Sequence, residues 1–300
     1  MQQTTRQSST TSLPFAGVTK ELAARLQAEA EGLVQHHMRA YEAHVYQLRR
    51  EELRDPALWA RVQSSKRGGF SVYRRVRLRR KQSLLSSSSS GGGRDALPTQ
   101  LLGVGFAVGT VEDMLFGASA LSTAAVKIQS LYTQDPVVDA AVLATLQAPS
   151  AGDPLRSVTL KWVMKKPKMY GALVVRAAAT RLLRCCPGFM RVAETNKLIF
   201  ALQQDALANA GVSRPPPRRV EDPSSCNVCL KSLGLCKRGR PCQLCNQLCC
   251  SSCLVLWKTN FALTALGGSS ILEKRLRFCR SCIIMAQSAN PLAIAASRLS

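Results

Sequence analysis

Shortages define this chain of 300 residues before anything it contains does. Acidic residues are scarce: Asp plus Glu number 18 against 41 Lys plus Arg, a formal net charge of +23. Such a surface favours anionic partners, either phospholipid headgroups or nucleic acid. Aromatic residues make up only 5% of the chain. No basic groove interleaved with aromatics and no recognition-helix motif is visible, so a nucleic-acid platform is not expected. Long apolar runs are missing as well. None approaches the ~20 apolar residues that span a bilayer. The most apolar stretches are cut by Arg176 and Arg181, or by Glu112 and Asp113. Met1 to Ser12 is polar and has no apolar segment of the kind found in a secretory leader. A cytosolic or peripheral location without a transmembrane segment is therefore expected. Catalytic signatures are lacking too. No Ser/His/Asp spacing, P-loop or G-x-G-x-x-G precedes a plausible helix, and Gly91–Gly93 has no Lys-Ser/Thr after it. The chain is not expected to be an enzyme.

Cysteine is what the chain does have. Eight of its 12 cysteines form four C-x-x-C pairs: Cys226/Cys229, Cys242/Cys245, Cys250/Cys253 and Cys279/Cys282. In a reducing compartment this spacing points to metal thiolates and not to disulfides. A C-x-x-C pair lets two thiolates of one knuckle reach the same ion, so eight cysteines suit two structural zinc ions. The lengths between pairs fit an interleaved cross-brace. The first pair would join the third (Cys226, Cys229, Cys250, Cys253), and the second the fourth (Cys242, Cys245, Cys279, Cys282). A sequential arrangement is the alternative. Cys236 and Cys249 are spares, and the adjacent Cys185 and Cys186 read as packed or free thiols. Four-thiolate sites are closed, which excludes hydrolytic zinc catalysis. Lys237, Arg238, Arg240, Lys258, Lys274, Arg275, Arg277 and Arg280 lie among or beside the pairs, so the natural ligand of this segment is anionic.

Upstream, the pattern is helical from Val18 to Arg54, with Thr19 as N-cap and Asp55-Pro56 at its end. Phe70, Val72, Val76 and Leu78 alternate with Arg74, Arg75, Arg77, Arg79 and Arg80, which predicts a half-buried strand. Residues 83–93 are a Ser/Gly-rich loop. Leu101 to Val108 reads as a buried strand in which Gly103 and Gly105 permit close approach. Thr110 is placed to cap a short helix over Val111 to Phe116, and Ala120 to Tyr132 is a second helix. Ala140–Leu146 and Ser157–Trp162 read as strands joined by a Pro/Gly turn. Leu173 to Leu183 is ambiguous between strand and helix. Glu194 to Ala208 is a helix, and the Pro-rich stretch 211–224 is a stiff linker and the expected domain boundary.

The eight-cysteine spacing resembles a FYVE-type finger. That family carries a basic motif with two histidines before its third cysteine, which aligns with Arg238-Gly239-Arg240-Pro241-Cys242. The arginines and the cysteine match; the histidines and the preceding Trp-x-x-Asp motif do not, since the latter stretch reads Glu221-Asp222-Pro223-Ser224-Ser225. Arg277-Phe278-Cys279 matches the family's Arg-Val-Cys loosely. The segments 38–54, 70–76, 109–117, 139–146 and 153–162, with the CQLC knuckle and the closing FCxxC, resemble a family that joins a START-like domain to a divergent FYVE finger.

The resemblance implies an α+β chain: a disordered tail over 1–14, a START-like helix-grip domain over 15–210, the linker, a two-zinc cross-brace FYVE-like finger over 225–287 and a tail over 288–300. Residues 163–193 have room for three strands at most, so the grip is expected to be short of sheet. The implied function is a zinc-binding, non-enzymatic adaptor, peripheral on endosomal membranes. It would dock on phosphoinositide or other anionic lipid through Arg238, Arg240 and Arg277, or on an acidic protein. The alternatives are a RING-like cross-brace ubiquitin ligase and a basic nucleic-acid-binding protein. Against the first, His36, His37 and His44 lie far from the cysteines.

Overall fold

The computed structural model describes residues 17–46, 52–65, 69–76, 100–135, 137–165, 172–208, 225–233, 239–265 and 268–299. The 1–14 tail, the 83–93 loop, the stretch 211–224, Cys236 and Arg238 lie outside them, as do Arg77, Arg79 and Arg80. The chain is mixed α+β and divides into two units, 18–108 with 166–187, and 109–165 with 188–300 together with 1–17.

In the first unit, α1 (Lys20–Tyr46) starts where Thr19 takes a hydrogen bond from Leu22 N on its hydroxyl, at 3.2 Å. The middle of its apolar stripe is exposed among the described residues: Leu33, Val34, Met38 and Tyr41 are all more than half exposed. Beyond it, a turn of 3-10 helix (Glu52–Arg54) ends at Asp55, whose carboxylate accepts from Ala57 N at 2.8 Å. Strands β1 (Trp59–Ser64), β2 (Phe70–Arg75) and β3 (Leu101–Gly105) form an antiparallel sheet in that order. Val72 of β2 is fully buried. Gly105 lies opposite Phe70, so close that an added Cβ would sit 2.2 Å from the ring. The buried strand expected over 101–108 needs correction. It stops at Gly105, and Phe106 and Val108, beyond its end, are each 95% exposed. β1 was not foreseen.

In the second unit, Thr110 and Asp113 form a capping box at the start of α2 (Val111–Ala118). The Asp113 amide donates to Thr110 Oγ1 and the Thr110 amide donates to Asp113 Oδ2, both at 3.1 Å. Ser122 caps α3 (Thr123–Thr133). Strands β4 (Val137–Gln147) and β5 (Val158–Lys165) pair antiparallel, as the alternation predicts. The ion pair of Lys127 with Asp139, at 2.7 Å, ties α3 to β4, and its hydrogen bond holds the Asp139 carboxyl below the usual range.

Helix α4 (Ala172–Ala208) runs through Pro187, and its residues from 188 onward belong to the second unit. It settles the ambiguity over 173–183 in favour of helix. A single curved sheet is not formed among the described residues: β1–β3 and β4–β5 are separate sheets. Helices α2 and α4 cross so closely that a Cβ on Gly117 would lie 1.9 Å from the Phe189 carbonyl oxygen. The rest of the unit comprises β6 (Arg240–Pro241), β7 (Leu248–Cys249), the long hairpin β8 (Leu254–Ala265) and β9 (Gly268–Cys279), α5 (Arg280–Gln287) and α6 (Pro291–Ser297).

Candidate metal centre

Each cysteine pair is shaped by its own backbone. In the first two, the same bonds recur. Leu230 N donates to Cys226 O at 2.7 Å, and Asn246 N to Cys242 O at 2.9 Å. Cys226 N then donates to Lys231 O, and Cys242 N to Gln247 O. Closing each knuckle puts the residue after its second cysteine in the left-handed region: Leu230 at φ 60 and Asn246 at φ 57. Asparagine tolerates that conformation and signals it in sequence; leucine does not. The third pair leads directly into β8, with Leu254 N donating to Cys250 O at 3.1 Å. The fourth opens a helix: Cys279 is the N-cap of α5, its Sγ accepting from Cys282 N at 3.4 Å.

These four pairs interleave. Cys226, Cys229, Cys250 and Cys253 form one group, and Cys242, Cys245, Cys279 and Cys282 the other; within each, all four Sγ atoms lie within 4.8 Å of one another. The cross-brace expected from the spacing is the one found, and the sequential alternative is not. A tetrahedron of sulfurs about 2.3 Å from its centre has edges of about 3.8 Å. Cys229 and Cys250 have their sulfurs 3.8 Å apart, and Cys245 and Cys279 3.9 Å. Each group could hold one zinc ion, with all four protein ligands supplied.

The thiol environments agree with that chemistry. Backbone amides aim at sulfur across the knuckles: Cys250 N at Cys226 Sγ, 3.3 Å, and Cys279 N at Cys242 Sγ, 3.2 Å. Burial works against thiolate at Cys226, but the amides of Cys250, Cys229 and Val228 outweigh it and bring the thiol down to about 6. Hydrogen bonds from the Cys245 and Cys282 thiols pull Cys242 far below its ordinary value. The same bond from the other side pushes Cys245 up to about 11, and burial with neighbouring thiols takes Cys253 to about 12. Thiolate is thus favoured at Cys226 and Cys250 in the first group and at Cys242 in the second, and a divalent cation would favour it at the remaining sulfurs. Cys249 is fully buried outside both groups, and burial raises its thiol, so it stays the spare it was expected to be.

The finger was expected as a domain of its own, but its core continues into α4. Leu198 is fully buried in one cluster with Cys226, Cys242, Trp257 and Phe278. Trp257 Nε1 donates to Thr195 Oγ1 at 3.0 Å, and the Arg191 guanidinium lies 3.3 Å over the indole. Lys197 Nζ donates to Gln287 O at 2.7 Å and forms an ion pair with Asp113 at 2.6 Å, both side chains nearly buried. Gln287 Nε2 also reaches Glu194 Oε1 at 3.0 Å. Arg191, Thr195, Lys197, Trp257 and Gln287 did not stand out in sequence as partners, because each lies on a helix or strand whose partner is distant along the chain.

Of the basic positions, Arg240 is exposed on β6 and Arg277 half-buried on β9. Gln243, inside the second knuckle, brackets Arg277: its amide donates to Arg277 O at 2.8 Å, and its side-chain oxygen accepts from Arg277 N. His36 and His37 are exposed on α1, outside both cysteine groups.

The fold and the site together define a class: a mixed α+β chain with two interleaved four-cysteine centres, each able to bind one zinc. No family model matches the chain, and no curated protein or solved structure matches it either.

Proposed function

We propose that the chain is a zinc-stabilised, non-enzymatic adaptor that docks on an anionic membrane surface through a FYVE-type finger, with a START-like region as its accessory part. The interleaving of the two cysteine groups carries the reading. Four thiols per ion leave no open coordination position, so the metal's role is to hold a shape. The shape presents cations. Arg240 is exposed on β6, Arg277 is fixed beside the second knuckle, and the whole chain has a net charge of +23. No helix among the described residues is long and apolar enough to cross a membrane, so contact with lipid would be peripheral. Such a protein would work at the cytoplasmic face of endosomal membranes.

Metal analysis together with vesicle co-sedimentation of the full chain tests this. Two zinc ions per chain are expected, with salt-sensitive binding to vesicles containing phosphatidylserine or phosphatidylinositol 3-phosphate. A folded chain without zinc, or one indifferent to anionic vesicles, sinks the proposal.

A further inference from the structure

The hairpin β8–β9 is long, basic and only partly used by the core. Its register fixes two faces. Val255, Trp257 and Thr259 share one face with Phe278 and Leu276. Trp257, Thr259 and Phe278 are buried there. On the other face, Leu256 pairs with Arg277, and Lys258 with Arg275. Leu256 is 62% exposed, and the Lys258 and Arg275 side chains are 59% and 63% exposed. Glu273 is the one acid among them; Lys258 approaches it at 3.2 Å and Arg275 at 3.8 Å, so a single carboxylate is shared by two cations. Arg277 Nε is buried with no hydrogen-bond partner among the described residues. The stripe ends at Cys279, a member of the second cysteine group, after which Arg280, Ile284 and Met285 are exposed on α5.

We infer that this face is a bilayer-docking surface. Lys258, Arg275 and Arg277 meet the phosphates of anionic lipid, and Leu256 enters the headgroup layer between them. The inference rests on the adaptor reading and moves its main contact from Arg240 to the hairpin. Three cations against one carboxylate make the stripe complementary to an anionic leaflet. An exposed leucine between cations fits the water–lipid boundary, where apolar and basic groups are both satisfied. Nucleic acid fits less well. The hairpin's Trp257 is turned into the core, so the exposed face offers no platform on which bases stack.

The test uses the full zinc-loaded chain and vesicles of phosphatidylcholine alone or mixed with phosphatidylserine. At low salt, K258Q/R275Q is expected to keep its zinc and lose about 30-fold in binding to the anionic vesicles, at roughly fivefold per cation. Arg240→Gln should lose less. Leu256→Ser should weaken the binding that survives at high salt, where charge is screened. Should the double variant lose zinc, Arg275→Gln alone gives the reading, with a fivefold loss expected. Undiminished binding by K258Q/R275Q, with wild type bound, overturns the hairpin surface and leaves the adaptor reading standing. Failure of wild type to bind any anionic vesicle overturns both. Displacement of the protein from vesicles by single-stranded nucleic acid that it binds more tightly also overturns the proposal.

Discussion

The unit that holds the cysteines and the unit that holds β1–β3 differ in what fills their interiors. In the first, Cys226, Cys242, Cys253, Cys279 and Cys282 are themselves core residues, packed with Leu198, Trp257 and Phe278. In the second, Val72 and Ala179 are the buried apolar side chains among the described residues, while Leu33, Val34, Met38, Tyr41, Phe106 and Val108 are exposed. Apolar content is therefore not what separates them. A short segment gains a core when each metal ion pulls two distant C-x-x-C segments to one point; a three-stranded sheet and a long helix do not gain one from pattern alone.

The largest effect should come from breaking that metal-built core. Chelation, or Cys242→Ser with Cys279→Ser, removes ligands from a centre whose zinc supplies on the order of 10–16 kcal/mol of folding energy in comparable peptides. That matches the whole stability of an ordinary domain. Because Leu198, Thr195 and Lys197 join the cysteine segment, amide protection should fall over residues 188–208 as well as 242–282. Protection over β1–β3 should change far less. Hydrogen exchange with and without zinc reads both regions; a 188–208 segment that stays protected in the zinc-free chain would show that the helix does not depend on the finger.

The contrast also explains what could be read from the chain. The two centres were legible down to ligand pairing, because C-x-x-C knuckles are local and their spacing restricts which pairs meet. The Thr110 cap and the β4–β5 pair were legible for the same reason: cap and turn chemistry act within a few residues. Three features were not. Residues 173–183 carry Val and Leu with no clean period, so the sequence did not decide between strand and helix; they are helical, with Ala179 fully buried. The end of β3 looked buried because Phe106 and Val108 are apolar, yet the strand stops at Gly105 and burial requires another element packed over them, which sequence alone does not supply. The polar part of the seam between α4 and the finger joins residues some 60 to 90 positions apart through single contacts. Hydrophobic periodicity carries no signal for these.

A smaller effect tests that seam directly. Lys197 is nearly buried, with Asp113 on α2 and the Gln287 carbonyl on α5 as partners. Lys197→Met leaves Asp113 as a buried charge without its cation and should cost about 3–5 kcal/mol. Lys197→Met with Asp113→Leu should recover much of the loss, since replacing both members of a buried pair by apolar groups is often neutral. Denaturant titration of the three variants measures it. A Lys197→Met chain as stable as wild type would mean that the ion pair does not form in solution, and with it the link between α2 and the finger.

The smallest effect belongs to the other unit. Phe106→Ser removes a large aromatic side chain that is 95% exposed just beyond the end of β3, so stability should change by no more than about 0.5 kcal/mol. Val72→Ala, at the fully buried position on the neighbouring strand, should cost about 1.5–3 kcal/mol, close to the value of burying the side chain. The order of the two matters more than either number, because residue size alone predicts the reverse: phenylalanine is the larger loss. If Phe106→Ser proves the more damaging, the Phe106 side chain is covered in solution, and the difference between the two units is one of missing neighbours and not of missing core.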